Sequence, residues 1–347
     1  MKFKASSFAH PNIALIKYWG RNPKLPSNLN IPTNDSISMT KQSIDTETTG
    51  IKLLTHTTIE FSEEYNEDIG FLKDEDVLIP FDQVQMERIL KVVNPLRELA
   101  SNDLNFKMVS ENKFPTAAGL ASSASAFAAL AICVAKALKL NLSKKELSKY
   151  ARLGSGSASR SIHGGFVWWH RGDSHDTSYA EQLCQCNEFD IAAVIAVIDR
   201  GKKQVSSDVG INYAHTSMFN QTRIDESLKQ TEEIKKAIED NDFTTVGKIA
   251  EKNCLYMHSV MMTSNPPLFY WNPKTLKVIK TITSKRKKEG IEFYFTVDAG
   301  PNIHCLCRAE DLDNAQQVIE DIGIPRRDTV KVRQADYGSK IVDQHLF

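Results

Sequence analysis

From Ile51 the chain alternates apolar and polar side chains, "IKLLTHTTIEFS", the period of a half-buried strand, and "NFKMVSENKF" shows a second such run further on. Between them "EDVLIPFDQVQMERILKVVNPLRELA" changes period, predicting a strand or turn and then an amphipathic helix over 83–99. "ASSASAFAALAICVAKALKL" is rich in Ala and Leu and free of Pro and Gly, so a helix is expected to start near Ala121. Ser143 with Glu146 three residues later forms a capping-box signature for the next helix, which should end at the glycine-serine segment. "FDIAAVIAVID" reads as a buried strand, and 223–240 and 243–257 as charged amphipathic helices. "IEFYFTVDAGPNIHCLC" reads as strand, tight turn, strand. Strands and helices intermixed in this way favour an α+β architecture.

Length and composition narrow the class. A chain of 347 residues exceeds the usual single domain, so two abutting units are expected, 1–187 and 188–347. Lys plus Arg and Asp plus Glu both number 43, so nothing attracts nucleic acid or an anionic membrane in general, and any anion site must be local. The longest apolar run, 126–135, is too short for a membrane span, and the first residues lack a secretory signal. Six cysteines spread over this length read as reduced thiols of a cytoplasmic protein, and the two C-x-C pairs, Cys184/Cys186 and Cys305/Cys307, as packing or surface thiols.

Chemistry concentrates in "FPTAAGLASSAS", 114–125. A helix start offers unpaired N–H groups and partial positive charge; Gly119 and the alanines let a bulky anion approach, and Ser122, Ser123 and Ser125 add hydroxyls able to meet magnesium. The segment suits a polyphosphate, or else serves only as a small-residue helix start for close packing. It is neither a Walker A loop nor a dinucleotide fingerprint. Lys17, in apolar "IALIKYWG", needs an opposite charge unless it snorkels at a strand edge. Asp298, at a strand end before Gly-Pro, either projects into a cleft or stabilises its own turn.

Pro115 to Ala124, "PTAAGLASSA", resembles the P-x-x-x-G-L-x-S-S-A phosphate loop of GHMP-superfamily kinases. "PNIALIKYWG", "GSGSASRSIHGGF", "GKKQVSSDVG" and "FTVDAGPN" resemble, in order, blocks of mevalonate diphosphate decarboxylases. The resemblance implies a two-lobed GHMP kinase fold: an N-terminal lobe like the second domain of a small-subunit ribosomal protein, a ferredoxin-like C-terminal lobe, and a site in the cleft between them. It implies ATP- and Mg2+-dependent decarboxylation of mevalonate 5-diphosphate to isopentenyl diphosphate, in a homodimer. Pro115, Ala118, Gly119, Leu120, Ala121, Ser122 and Ser123 would bind ATP, with Ser123 meeting the metal. Asp298, Lys17 and Arg160 would be catalytic, Asp298 orienting the 3-hydroxyl, or also deprotonating it. Tyr18, Arg21, Ser155, Ser157, Arg160 and Ser207 would bind substrate, with Gly154 and Gly156 allowing close main-chain approach.

Two positions depart from the family pattern. Arg21 stands where a lysine is common, and Asp208 where other members carry arginine or a neutral residue. A carboxylate there repels a diphosphate unless it points away, which keeps mevalonate 5-phosphate and mevalonate 3,5-bisphosphate open as substrates. A non-catalytic ligand sensor on the same fold is the rival of another class. "FVWW", 166–169, and His163 read as core or strand, and "TSKRKKEG" as a solvated helix end.

Overall fold

The computed structural model describes residues 2–114, 122–186, 188–201 and 203–347. Alternation in the first part of the chain builds a six-stranded sheet. Its order is β14 (Ser339–Val342), β1 (Lys2–Ala9), β4 (Thr55–Ser62), β7 (Phe106–Asn112), β5 (Ile69–Asp74) and β6 (Val77–Pro80). One face, with Ala5, Ile59, Phe61, Phe106 and Met108, packs on α2 (Gln83–Leu99) and α3 (Ser122–Ala137). The expected 83–99 helix is present, opened by a capping box of Asp82 and Gln85. The opposite face meets the chain's own end: Ser6 Oγ lies 2.7 Å from His345 Nδ1, and the Phe347 ring sits under Lys4 and Lys107.

An eight-stranded sheet follows the order β11 (Tyr294–Val297), β12 (Ile303–Arg308), β10 (Ile191–Ala196), β13 (Thr329–Gln334), β3 (Ser36–Ser43), β8 (Phe166–Trp169) and β9 (Ala180–Cys184). The short β2 (Asn12–Ala14) pairs with β3. Because β13 pairs with β3, Val332 opposite Ser43 and Gln334 opposite Lys41, this sheet joins late strands to early ones. "FVWW" is strand β8, and His163 is buried with Nε2 3.1 Å from the Ala180 carbonyl oxygen.

Helices α6 (Asn220–Glu239) and α7 (Phe243–Met262) cover one face of β10–β13, burying Ile234, Ile238, Val246 and Ile249 against Ile195 and Val330. Helices α8 (Pro273–Glu289) and α9 (Leu312–Asp321) cover the other through Val278, Ile282, Leu312 and Ile319. Each such side chain taken fully from water contributes roughly 1.5–3 kcal/mol before entropy is counted. Cys305 and Cys307 share the second of these cores, and "TSKRKKEG" ends α8 at Gly290, whose φ of 70° needs a glycine. Single turns α1 (Thr46–Thr49) and α5 (Ser207–Gly210) interrupt loops. Helix α4 (Lys144–Gly154) has the expected capping box of Ser143 and Glu146.

Candidate active site

β2 stops at Ala14, and the next residues run as irregular chain whose polar groups are met one by one. Leu15 N and Ile16 N donate to the Ile37 carbonyl at 2.8 and 3.1 Å, and Ser36 Oγ donates to the Ile16 carbonyl. Lys17 N donates to Asn253 Oδ1 at 2.8 Å, and Asn34 Nδ2 to the Lys17 carbonyl at 3.1 Å. Asn253, on α7, is itself fixed by donating to Ser227 Oγ and Gln230 Oε1 on α6. Arg223 Nη2 donates to the Trp19 carbonyl at 2.7 Å. The segment is thus held rigidly without being a strand, and the Lys17 ammonium is directed inward, where its residue is 1% exposed.

There it donates to Asp298 Oδ1 at 2.6 Å. Asp298 follows β11, and Gly300 N donates to its carbonyl at 2.7 Å, closing the tight turn. Asn302 Oδ1 ties the turn to the end of β10 by accepting from Ile198 N and Asp199 N. The carboxylate side chain is 37% exposed, so the pair has a sealed cationic side and an open anionic side. Lys17 does not snorkel.

Burial alone would raise the Asp298 pKa, but Lys17, Lys41 and Arg160 outweigh it and leave it below the ordinary carboxylate value. Arg160 lies in a 3-10 turn, Gly156–Ser161, is 3% exposed, and faces the Trp169 ring at 5.4 Å. Its Nε and Nη1 are buried without a hydrogen-bond partner among the described residues. Burial pulls its pKa down to about 10, with Asp298 acting against that, so it stays charged at neutral pH. A buried guanidinium with idle donors is costly unless an anion completes it.

Ser123 Oγ lies 3.4 Å from Ser155 Oγ, which lies 3.2 Å from Ser157 Oγ, so hydroxyls from the start of α3 and the end of α4 form one cluster. Pro115, Ala118, Gly119, Leu120 and Ala121 lie outside the described residues. Ser125 is turned into the core, 2.7 Å from Thr55 Oγ1, and is unavailable to a ligand, contrary to the expectation for this helix start. Gly154 and Gly156 also differ in role. A Cβ on Gly154 would meet Phe127 at 2.1 Å, and one on Gly156 would meet Tyr18 at 2.7 Å and Trp169 at 2.9 Å, so they admit the protein's own rings. Among the described residues no group of three or more His, Cys, Asp or Glu could hold a metal ion.

Tyr18 packs edge-on against Trp169; burial raises its pKa while Arg21 and Arg160 both act to lower it, and its hydroxyl is buried without a hydrogen-bond partner among the described residues. Arg21 is paired with Asp208 on α5, and Ser207 opens that same exposed turn. A cavity of about 1140 Å³ is lined by Arg21, Lys24, Arg171 and His215 but not by Asp298, Lys17 or Arg160.

The sequence reading missed Lys41 and His304. Lys41 Nζ lies 2.5 Å from His304 Nε2, both residues are buried, and no carboxylate bonds the lysine among the described residues. Burial lowers the Lys41 pKa to about 7, against the pull of Asp298, and pushes that of His304 well below its ordinary value. Lys203 was also missed; it lies against Gly300, with burial lowering and Asp298 raising its pKa. The signal for Lys41 was a cation on the inward face of "SISMTKQS".

Anion handling in a cleft between mixed α and β layers is characteristic of the two-lobed GHMP kinase fold, and the chain has that architecture. Residues 9–180 match the diphosphomevalonate decarboxylase-like N-terminal domain, and 193–344 the mevalonate 5-diphosphate decarboxylase C-terminal domain. The chain belongs to the diphosphomevalonate decarboxylase family. It is 38% identical to the diphosphomevalonate decarboxylase of Debaryomyces hansenii, over 86% of this chain and 78% of that one. It is 30% identical to the phosphomevalonate decarboxylase of Haloferax volcanii, over 92% and 93%. The crystal structure of mevalonate diphosphate decarboxylase from Staphylococcus aureus superposes with a TM-score of 0.89 at 36% identity, covering 99% of both chains. A complex of MDDEF with MVAPP, AMPPCP and magnesium gives 0.88 at 36%, covering 99% and 100%.

Proposed function

We propose that this protein decarboxylates mevalonate 5-diphosphate to isopentenyl diphosphate with consumption of ATP, releasing ADP, phosphate and carbon dioxide. The observation that carries the reading is the ionised Asp298 held on a sealed Lys17, beside an arginine whose buried donors await an anion. ATP, when bound with magnesium, supplies the phosphoryl group that turns a tertiary alcohol into a leaving group.

The roles of the chain's own residues follow. Asp298 accepts a hydrogen bond from the 3-hydroxyl and aims its oxygen; with a lowered pKa it acts by positioning more than by basicity. Lys17 fixes Asp298 and balances charge gathering on the transferred group. Arg160 holds the substrate carboxylate so that the carbon–carbon bond that breaks can feed electrons toward the departing oxygen. Ser123, Ser155 and Ser157 line the phosphate side. Tyr18, Arg21 and Ser207 are assigned to the substrate's phosphate end, and Ser122 with the residues of 115–121 to ATP. The family resemblance supports a homodimer, to be checked by sedimentation. The six unpaired cysteine thiols support a reducing, cytoplasmic setting, to be checked by localisation of a tagged chain.

The test is direct. Purified protein given magnesium, ATP and mevalonate 5-diphosphate should release ADP, phosphate and carbon dioxide in equal amounts. ADP without carbon dioxide would make it a kinase, and ligand affinity without turnover a sensor.

A further inference from the structure

Two arginines serve this site, and they are held in opposite ways. Arg160 keeps Nε and Nη1 idle, whereas the Arg21 guanidinium is already committed to protein groups. Its Nε donates to Asn30 Oδ1 at 2.8 Å, Nη1 to Asn212 Oδ1 at 2.7 Å and to the Asp208 carbonyl at 3.4 Å, and Nη2 to Asp208 Oδ1.

The acceptors are themselves anchored. Asn30 is 8% exposed, adopts φ 51°, and donates from Nδ2 to the Arg152 and Leu153 carbonyls. Asn212 donates back to the Asp208 carbonyl at 3.3 Å. The Asp208 side chain is 51% exposed, so it sits at the open edge of this network with its charge spent on Arg21. Arg88 nearby has its Nε and Nη2 on the Gly154 carbonyl, and it too feels both Arg21 and Asp208. The Tyr18 end of the site therefore presents a neutralised pair where the Arg160 end presents a guanidinium with two donors unused among the described residues.

We propose that Asp208 is a specificity-determining residue, which by occupying Arg21 weakens the hold on the terminal phosphate of a 5-diphosphate and shifts preference toward substrates ending in one phosphate. This rests on the reading that the substrate's phosphates lie at Tyr18 and Arg21. A diphosphate reaching Arg21 has to displace Asp208 or lie beside its carboxylate, and its second phosphate adds charge where the protein has cancelled its own. A monophosphate carries one charged group fewer and on that reading meets less of the penalty.

The experiment compares kcat/KM for mevalonate 5-diphosphate with that for mevalonate 5-phosphate, both with ATP and magnesium, in the parent and in Asp208→Asn, Asp208→Ser and Asp208→Glu. Removing the charge should raise the ratio of diphosphate to monophosphate about tenfold, mainly through KM, as expected for one partly screened charge. Asp208→Glu should keep the parental ratio. An unchanged ratio in both neutral variants, with turnover retained, overturns the role of Asp208, as does an equal loss on both substrates. Absence of carbon dioxide from either substrate with the parent protein would instead overturn the reaction proposed above. Asp208→Ser decides the matter if the Asn variant fails to fold.

Discussion

Replacing Asp298 by Asn keeps the shape of the side chain and removes its charge. Lys17, 1% exposed, then loses the carboxylate it touches at 2.6 Å and gains an amide that has to turn its oxygen inward to serve it. Orphaning one member of a sealed ion pair costs roughly 3–5 kcal/mol. Here the carboxylate side chain is 37% exposed and water can approach it, so a stability loss of about 1 kcal/mol is expected. The kinetic loss should be far larger, because an amide turned toward Lys17 shows its N–H2 to the substrate alcohol. Orienting and proton-accepting groups of this kind contribute roughly 10²–10⁴ in rate, so carbon dioxide release should fall at least about 100-fold. Saturating assays of carbon dioxide and ADP read the rate, and calorimetry with a non-hydrolysable ATP analogue should show nucleotide affinity unchanged within about threefold. Since Lys17 and Asp298 act as a unit, Lys17→Met added to Asp298→Asn should cost little more than either alone. A single variant keeping more than about a tenth of kcat, or a double variant whose losses simply add, would refute the assigned roles.

Arg160→Gln should raise KM for the phosphorylated substrate by roughly 10²-fold, with nucleotide affinity little changed, since a charge-assisted fork is lost; steady-state titration of each substrate checks it. Lys41 gives a pH signature. Its folded pKa of about 7 lies below the 10.5 of the free side chain, so the unfolded chain binds more protons between those values and stability rises with pH across that window. Lys41→Met should therefore raise Tm clearly near about pH 6 and much less near about pH 10, and equal shifts at both would refute the buried-charge account. Gly156→Ala puts a Cβ 2.7 Å from Tyr18 and 2.9 Å from Trp169, so denaturant unfolding should show a loss of about 1–3 kcal/mol, with KM rising as Tyr18 is displaced.

What was legible in the chain was local. Helix α2, the capped start of α4 and the β11-turn-β12 unit follow from periodicity and caps that lie within a few residues of one another. β1 was not legible, because its second face carries Ser6, which meets the chain's own tail 339 positions away. β3 and β13 were hidden likewise, since Lys41 and Arg333 break their apolar pattern and their pairing joins opposite ends of the sequence. In the site, Lys17 and Asp298 stood out as charges in apolar or turn settings, and the fold puts them in contact. Lys41 and His304 could not be paired by any spacing rule, being 263 positions apart and brought together only because β3 and β12 join one sheet, with β10 and β13 between them. The exposure of Asp208 was legible as a question; its answer, a guanidinium fully engaged on one side, needed the fold.

The rungs between β13 and β3, together with those between β14 and β1, stitch the last strands into the scaffold of the first. A cut between the two halves would leave both early strands with raw, unpaired edges, so neither half is expected to survive as a separate soluble fragment. The same seam is expected to resist a hinge motion between the halves, because any swing would have to break ladder pairings of late strands with early ones.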